Sequence, residues 1–226
     1  NGKVLLPSGT WAAVDVGMAR GRLTALKRRV TGRRVWDARG GWVLPGFIDL
    51  HCHGLGFHSL EQGRLEEWAA QEARYGTTRF YPTLFNPPEV LTDLLARHLR
   101  ETDGLRATPQ VGGFRLESPY LAQTGAGRNR DLTPITPAVT TRLLCAGGGQ
   151  IRIWDLSPEL PGAVETIARL TAQGVVCSLA HTRATIAQAR ARVELAKASL
   201  QLAETRLGYA KLTAPISGVV LSENVE

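Results

Sequence analysis

Residues 42–54 read Trp42-Val-Leu-Pro-Gly-Phe-Ile-Asp-Leu-His-Cys-His-Gly54, and this stretch decides the fold. The apolar run Val43–Leu50 predicts a buried strand that ends at His51 and His53. Positions i and i+2 of a strand share a face. The two imidazoles therefore project together past the strand end, where a cation can sit between them. Gly54 lets the backbone turn away. On spacing alone, a pair of loop histidines is the alternative. Cys52 faces the opposite side and reads as a small buried apolar residue rather than a ligand.

Working outward, strand and helix patterns alternate. Leu60–Tyr75 has helical spacing through Leu65, Trp68, Ala69 and Ala73. Arg79–Leu84 is β-like. Val90–Leu99 is helical, with Leu91, Leu94, Leu95 and Leu99 on one side. Gln110–Leu116 is a third strand, Pro137–Cys145 a helix, Ile151–Leu156 a fourth strand, Pro161–Gln173 a helix and Gly174–Ala180 a fifth strand. Such alternation implies an α/β fold of parallel strands joined by crossover helices. An open doubly wound sheet is the reading the pattern alone leaves open. Upstream, the short runs Val4–Leu6, Trp11–Val16, Leu23–Leu26 and Arg34–Trp36, separated by glycine turns, predict a small antiparallel unit.

Two further polar residues take meaning from these strands. Glu117 follows the third strand and His181 the fifth, as His51 and His53 follow the first. Three imidazoles and a carboxylate suit Zn2+ or a similar divalent ion. Singly, Glu117 reads equally as a capping or loop carboxylate and His181 as a hydrogen-bonded core histidine.

Composition excludes several classes. The 226 residues are 43% hydrophobic and include no apolar run of membrane-spanning length. The net charge of +7 comes mostly from scattered arginines, not from a stripe along one face, which argues against nucleic acid as a partner. Cys52, Cys145 and Cys177 are an odd, widely spaced set. That fits a reducing compartment, hence a cytoplasmic location, better than a disulfide framework. The start, Asn1-Gly-Lys-Val, has no initiator Met and no signal pattern, so a piece of a longer chain is expected.

Pro45-Gly-Phe-Ile-Asp-Leu-His-Cys-His-Gly54 resembles the first-strand motif of the amidohydrolase superfamily, in particular its N-acetylglucosamine-6-phosphate deacetylase family. The likeness runs from residue 1 to about 185. Leu116-Glu-Ser-Pro resembles that family's Glu-Gly-Pro segment, and Leu179-Ala-His-Thr-Arg its Gly-His-Ser segment. Tyr81-Pro-Thr-Leu resembles its Pro-Thr segment, and Leu156-Ser-Pro-Glu its Ala-Pro-Glu segment. The resemblance implies about five units of an incomplete (β/α)8 barrel, with a β-sandwich part over 1–42 and barrel over 43–185. It also implies a metal held by His51, His53, Glu117 and His181, and hydrolysis of the acetamide of an amino-sugar phosphate. In a barrel, the C-terminal ends of the strands carry the chemistry.

There are departures. Ser118 and Ala180 stand where the family has glycines. Gly125-Ala-Gly-Arg-Asn aligns with a sugar-contacting Gly-Ala-His-like segment, which leaves Ala126 as a substrate contact and puts Gly127 in place of a His. The family's catalytic Asp, its strand-six His and its phosphate-binding residues lie beyond the matching stretch. The expectation is a chain that holds metal loosely without turnover; a plain inactive α/β piece is the third reading.

The last stretch, 186–226, has another character. Ile186, Val193, Leu200 and Leu207 recur every seven residues, each followed three residues later by Ala189, Ala196, Ala203 or Ala210. This is a coiled-coil seam. With Leu212-Thr-Ala-Pro-Ile-Ser-Gly-Val-Val, it resembles the returning helix and half-lipoyl strand of periplasmic adaptor (membrane-fusion) proteins. A lengthened fifth barrel helix is the alternative. The adaptor likeness implies a chimera and, as a second function, a non-enzymatic efflux-adaptor piece from a periplasmic parent family. An exposed fifth-strand edge or an unpaired tail helix would favour self-association.

Overall fold

The computed structural model describes residues 2–55, 58–59, 64–105 and 110–186. The tail seam beyond Ile186 and the half-lipoyl pattern lie outside the described residues. The chain divides into two compact units, one of residues 1–83 and 98–113, the other of 84–97 and 114–226.

The first unit opens with β1 (Gly2–Leu5), β2 (Trp11–Ala19) and β3 (Arg22–Lys27), paired antiparallel in sequence. Arg20 and Gly21 join β2 to β3 with φ of 52° and 71°. Two consecutive positive φ values make the hairpin turn that matches strand twist. The Arg34–Trp36 run forms no strand; Val35 and Trp36 are exposed. Instead β4 (Trp42–Val43) pairs parallel with β1, and Trp42 meets Trp11 edge-on at 4.3 Å between ring centroids. Val43 thus joins the small sheet rather than opening the first barrel strand.

The expected strand Val43–Leu50 is therefore split. Leu44-Pro45-Gly46 interrupts it, and β5 runs over Phe47–Cys52. Proline supplies no amide for a ladder, and at Gly46 any side chain would collide with Thr78. Nor is β5 buried: Phe47 and Ile48 are each 59% exposed and Leu50 51%. An apolar run records what can be buried, not whether both faces find cover. Among the described residues, β5 pairs only with β8.

After β6 (Gly54–Leu55) and β7 (His58–Ser59) comes α1 (Leu65–Arg74). Leu65, Trp68 and Ala69 are buried at helical spacing, but the next turn buries Glu72 and exposes Ala73. Trp68 packs on Phe80 of β8 (Thr77–Leu84) at 5.4 Å. Helix α2 (Pro88–Gly104) buries Leu91, Leu94 and Leu95, and then His98 rather than Leu99. The third expected strand is also broken: β9 (Gln110–Val111) pairs with β8, and Gly112-Gly113 separates it from β10 (Phe114–Leu116). At Gly112 a Cβ would meet the Tyr81 ring.

In the second unit β10, β11 (Ile151–Leu156) and β12 (Val176–Leu179) are parallel neighbours. Helix α3 (Pro137–Ala146) connects β10 to β11, and α4 (Ala163–Ala172) connects β11 to β12. Thr136 caps α3 by accepting the Val139 N–H, with Pro137 beginning the helix. Trp154 stacks on Tyr120 at 5.4 Å, both fully buried. A buried ion pair joins two of these strands: Arg115 of β10 donates two hydrogen bonds of 2.8 Å to Asp155 of β11. No described helix is long and apolar enough to cross a membrane.

Candidate metal centre

Each unit holds one pair of the expected ligands. In the first, His51 lies in β5 and His53 just past it. Their Nε2 atoms are 3.2 Å apart, with the rings at 69°. The His51 N–H donates to Asp49 Oδ1 at 2.9 Å, and the Cys52 N–H donates to Thr83 Oγ1 at 3.1 Å, which fixes the strand end. Both histidines are exposed.

The separation tests whether the pair fits a cation. Bonds of 2.0–2.1 Å to one Zn2+ would make two nitrogens 3.2 Å apart subtend about 100°, near the tetrahedral angle. At this distance one ring N–H hydrogen-bonds the other nitrogen, and the same spacing suits two ligands of one cation.

In the second unit, His181 Nε2 donates to Glu117 Oε1 at 2.7 Å. Glu117 follows β10 and is buried to 7% exposure. Its N–H donates to Leu84 O at 3.0 Å. Ser118, in place of the family's glycine, ties the next turn by accepting the Asn86 N–H and donating to Asn86 O. His181 follows β12 with a φ of 47°. Oxygen and nitrogen at 2.7 Å would subtend about 80° at one ion, so ligation would open the pair slightly.

Two residues of the Leu156-Ser-Pro-Glu segment, to which the sequence assigns no role, hold the His181 turn in place. The fully buried Ser157 accepts the Ala122 N–H at 2.8 Å and donates to the carbonyls of Ala180 and His181. Glu159 accepts from the Thr182 hydroxyl at 2.7 Å and from the Arg183 N–H. Burial would raise the Glu159 carboxyl, but these hydrogen bonds outweigh it and hold it below the ordinary range. The only sequence signal was that Ser-Pro-Glu stands where the resembled segment reads Ala-Pro-Glu. Ala126 is exposed on the adjoining loop, and a Cβ on Gly125 would come 3.1 Å from the His181 ring.

Cys52 is half-buried, with its thiol donating to Gly54 O at 3.3 Å. Burial, with a smaller push from Asp49 and Glu72, raises the thiol to about 11.

No family model matches the chain. It is 34% identical over 170 residues to the N-acetylglucosamine-6-phosphate deacetylase of Homo sapiens, an overlap of 68% of this chain and 41% of that protein. With the enzyme of the same name from Lysinibacillus sphaericus it shares 26% over 191 residues, or 80% of this chain and 49% of the relative. The chain is a partial homologue of N-acetylglucosamine-6-phosphate deacetylases. It spans about half or less of the length of these curated deacetylases. The crystal structure of the deacetylase from Thermotoga maritima matches with a TM-score of 0.70, covering 85% of this chain and 50% of that one at 21% identity. At that identity the likeness concerns the fold, which is α/β with the strand–helix order of an incomplete (β/α)8 barrel.

Proposed function

We propose that this chain carries part of the metal centre of a deacetylase acting on an amino-sugar phosphate. His51, His53, Glu117 and His181 would serve one divalent cation, Zn2+ fitting the donor set best. The observation that carries the reading is the 3.2 Å between the His51 and His53 Nε2 atoms. The names of the homologous deacetylases support the substrate class. A bound divalent ion polarises an amide carbonyl and lowers the pKa of water toward neutrality.

The chain's own residues have separable tasks in this proposal. Asp49 and Thr83 hold the backbone that presents the two imidazoles. Ser157 and Glu159 hold the turn that presents His181. Ala126, on the loop beside His181, would border the sugar. A cytoplasmic location and the division into 1–42, 43–185 and 186–226 belong to the same proposal. For residues 186–226 the adaptor likeness rests on the sequence pattern alone. Self-association would use β12, where Val176 and Leu179 are 63% and 62% exposed; light scattering tests it.

Elemental analysis after equilibration with Zn2+ tests the centre. One equivalent of tightly bound zinc that is lost on His51→Ala and on His181→Ala supports it. Zinc retained unchanged in both variants, or never bound, overturns it.

A further inference from the structure

We propose that Asp49, Cys52 and Glu72 form a second cation site, thiolate-containing and suited to a borderline-soft divalent ion such as Zn2+, separate from His51 and His53. One ligand atom from each of the three lies within 4.8 Å of the other two. Ligands on one tetrahedral Zn2+ sit roughly 3.3–3.8 Å apart, so side-chain shifts of about 1 Å close the group on an ion.

One observation points to a ligand here, and a second accounts for the three side chains meeting. The first is Glu72. It sits on the apolar face of α1, one turn after Trp68 and Ala69, and is only 1% exposed. Its Oε1 is buried and, among the described residues, has no hydrogen-bond partner. A carboxylate enclosed this way is costly unless a positive charge answers it. The second is the backbone of β5. Strand alternation puts residues three apart on opposite faces. Here the pairing with β8 shifts register between Asp49 and Cys52. Such an irregularity re-aims side chains, and it brings Asp49 and Cys52 to the same carboxylate.

Two carboxylates and one thiolate would over-balance a single 2+ charge by one, as structural Zn sites rich in thiolate do. On binding, the Cys52 S–H proton leaves to solvent as the S–metal bond forms. Asp49 also accepts the His51 N–H, so the two sites are separated through Cys52 and Glu72, which have no part in presenting the imidazoles.

Cobalt titration of the full chain tests this, because a thiolate ligand gives Co2+ a near-ultraviolet charge-transfer band that imidazole and carboxylate do not. The expected result is a saturable band that vanishes in Cys52→Ser, weakens in affinity at least about tenfold in Glu72→Gln, and survives His51→Ala combined with His53→Ala. The ligand-field absorption of the imidazole centre is read separately in the visible region. No charge-transfer band at saturating cobalt overturns the proposal, as does a band that persists in Cys52→Ser. A band abolished by the double histidine variant also overturns it, since the thiolate would then belong to the first centre. A second measurement needs no variant: Zn2+ should slow alkylation of Cys52 at least tenfold while exposed Cys145 reacts unchanged, and equal rates with and without zinc count against the site.

Discussion

His181 Nε2 lies 2.7 Å from Glu117 Oε1, a contact between residues 64 positions apart. Glu117 is placed by the end of β10, and His181 by the turn after β12. Between them in sequence lies Ser157, at the end of β11, whose single hydroxyl bonds three backbone groups on two loops. The pair is therefore a product of three neighbouring parallel strands.

Ser157→Ala should remove the hydroxyl that holds the Ala122 loop against the His181 turn. An unsatisfied buried amide costs about 1–3 kcal/mol. We expect a loss of that size in urea denaturation, together with a fall of about 10–100-fold in divalent-metal affinity, the usual effect of losing a residue that orients a ligand. Unchanged metal affinity would show that Ser157 is structural only.

Arg115 and Asp155 form a two-bonded ion pair, with side-chain exposures of 13% and 0%. Removing one partner leaves the other buried and uncompensated. Arg115→Ala should cost about 3–5 kcal/mol, whereas Arg115→Met with Asp155→Leu should come near neutrality. Denaturation midpoints of the single and double variants give the comparison.

Gly127 stands where the resembled family has a His, and a Cβ there would run into the Phe85 ring. Gly127→His alone should lower the melting temperature. Combined with Phe85→Ala it should be tolerated. Equal melting of the two variants would show that Phe85 is not what closes the position to a side chain.

Glu159 supplies the pH dependence. Its folded carboxyl titrates below the ordinary value of 4.5, burial being outweighed by hydrogen bonds from Arg183 N–H and Thr182. A depressed folded pKa means the contribution is complete above the unfolded value and is lost as pH falls through the folded one. The NMR amide shift of Arg183 should stay constant from neutrality down to about pH 5 and then move in an acid step. Glu159→Gln should abolish that step.

The alternation of strands and helices was legible because apolar period and turn residues are local. The two imidazoles were legible for the same reason: they sit one residue apart. What stayed hidden depends on partners distant in sequence. Val43–Leu50 gave no sign that Val43 would pair with β1 instead. Gln110–Leu116 showed its two glycines, but not that they mark a break between β9 and β10. Ser157 and Glu72 look like ordinary polar residues until the burial around them is known. The register shift in β5 cannot be seen without β8.

The backbone at His181 has a φ of 47°, a conformation that costs a side-chain-bearing residue roughly 1–2 kcal/mol. Glycine or asparagine would sit there with less strain, and neither can replace an imidazole. Under the proposed cation role, folding and ligand chemistry pull this one position in opposite directions. In a lineage released from the need for a cation, codon 181 should be among the earliest to drift toward Gly or Asn, which makes its identity a molecular record of whether that need persists.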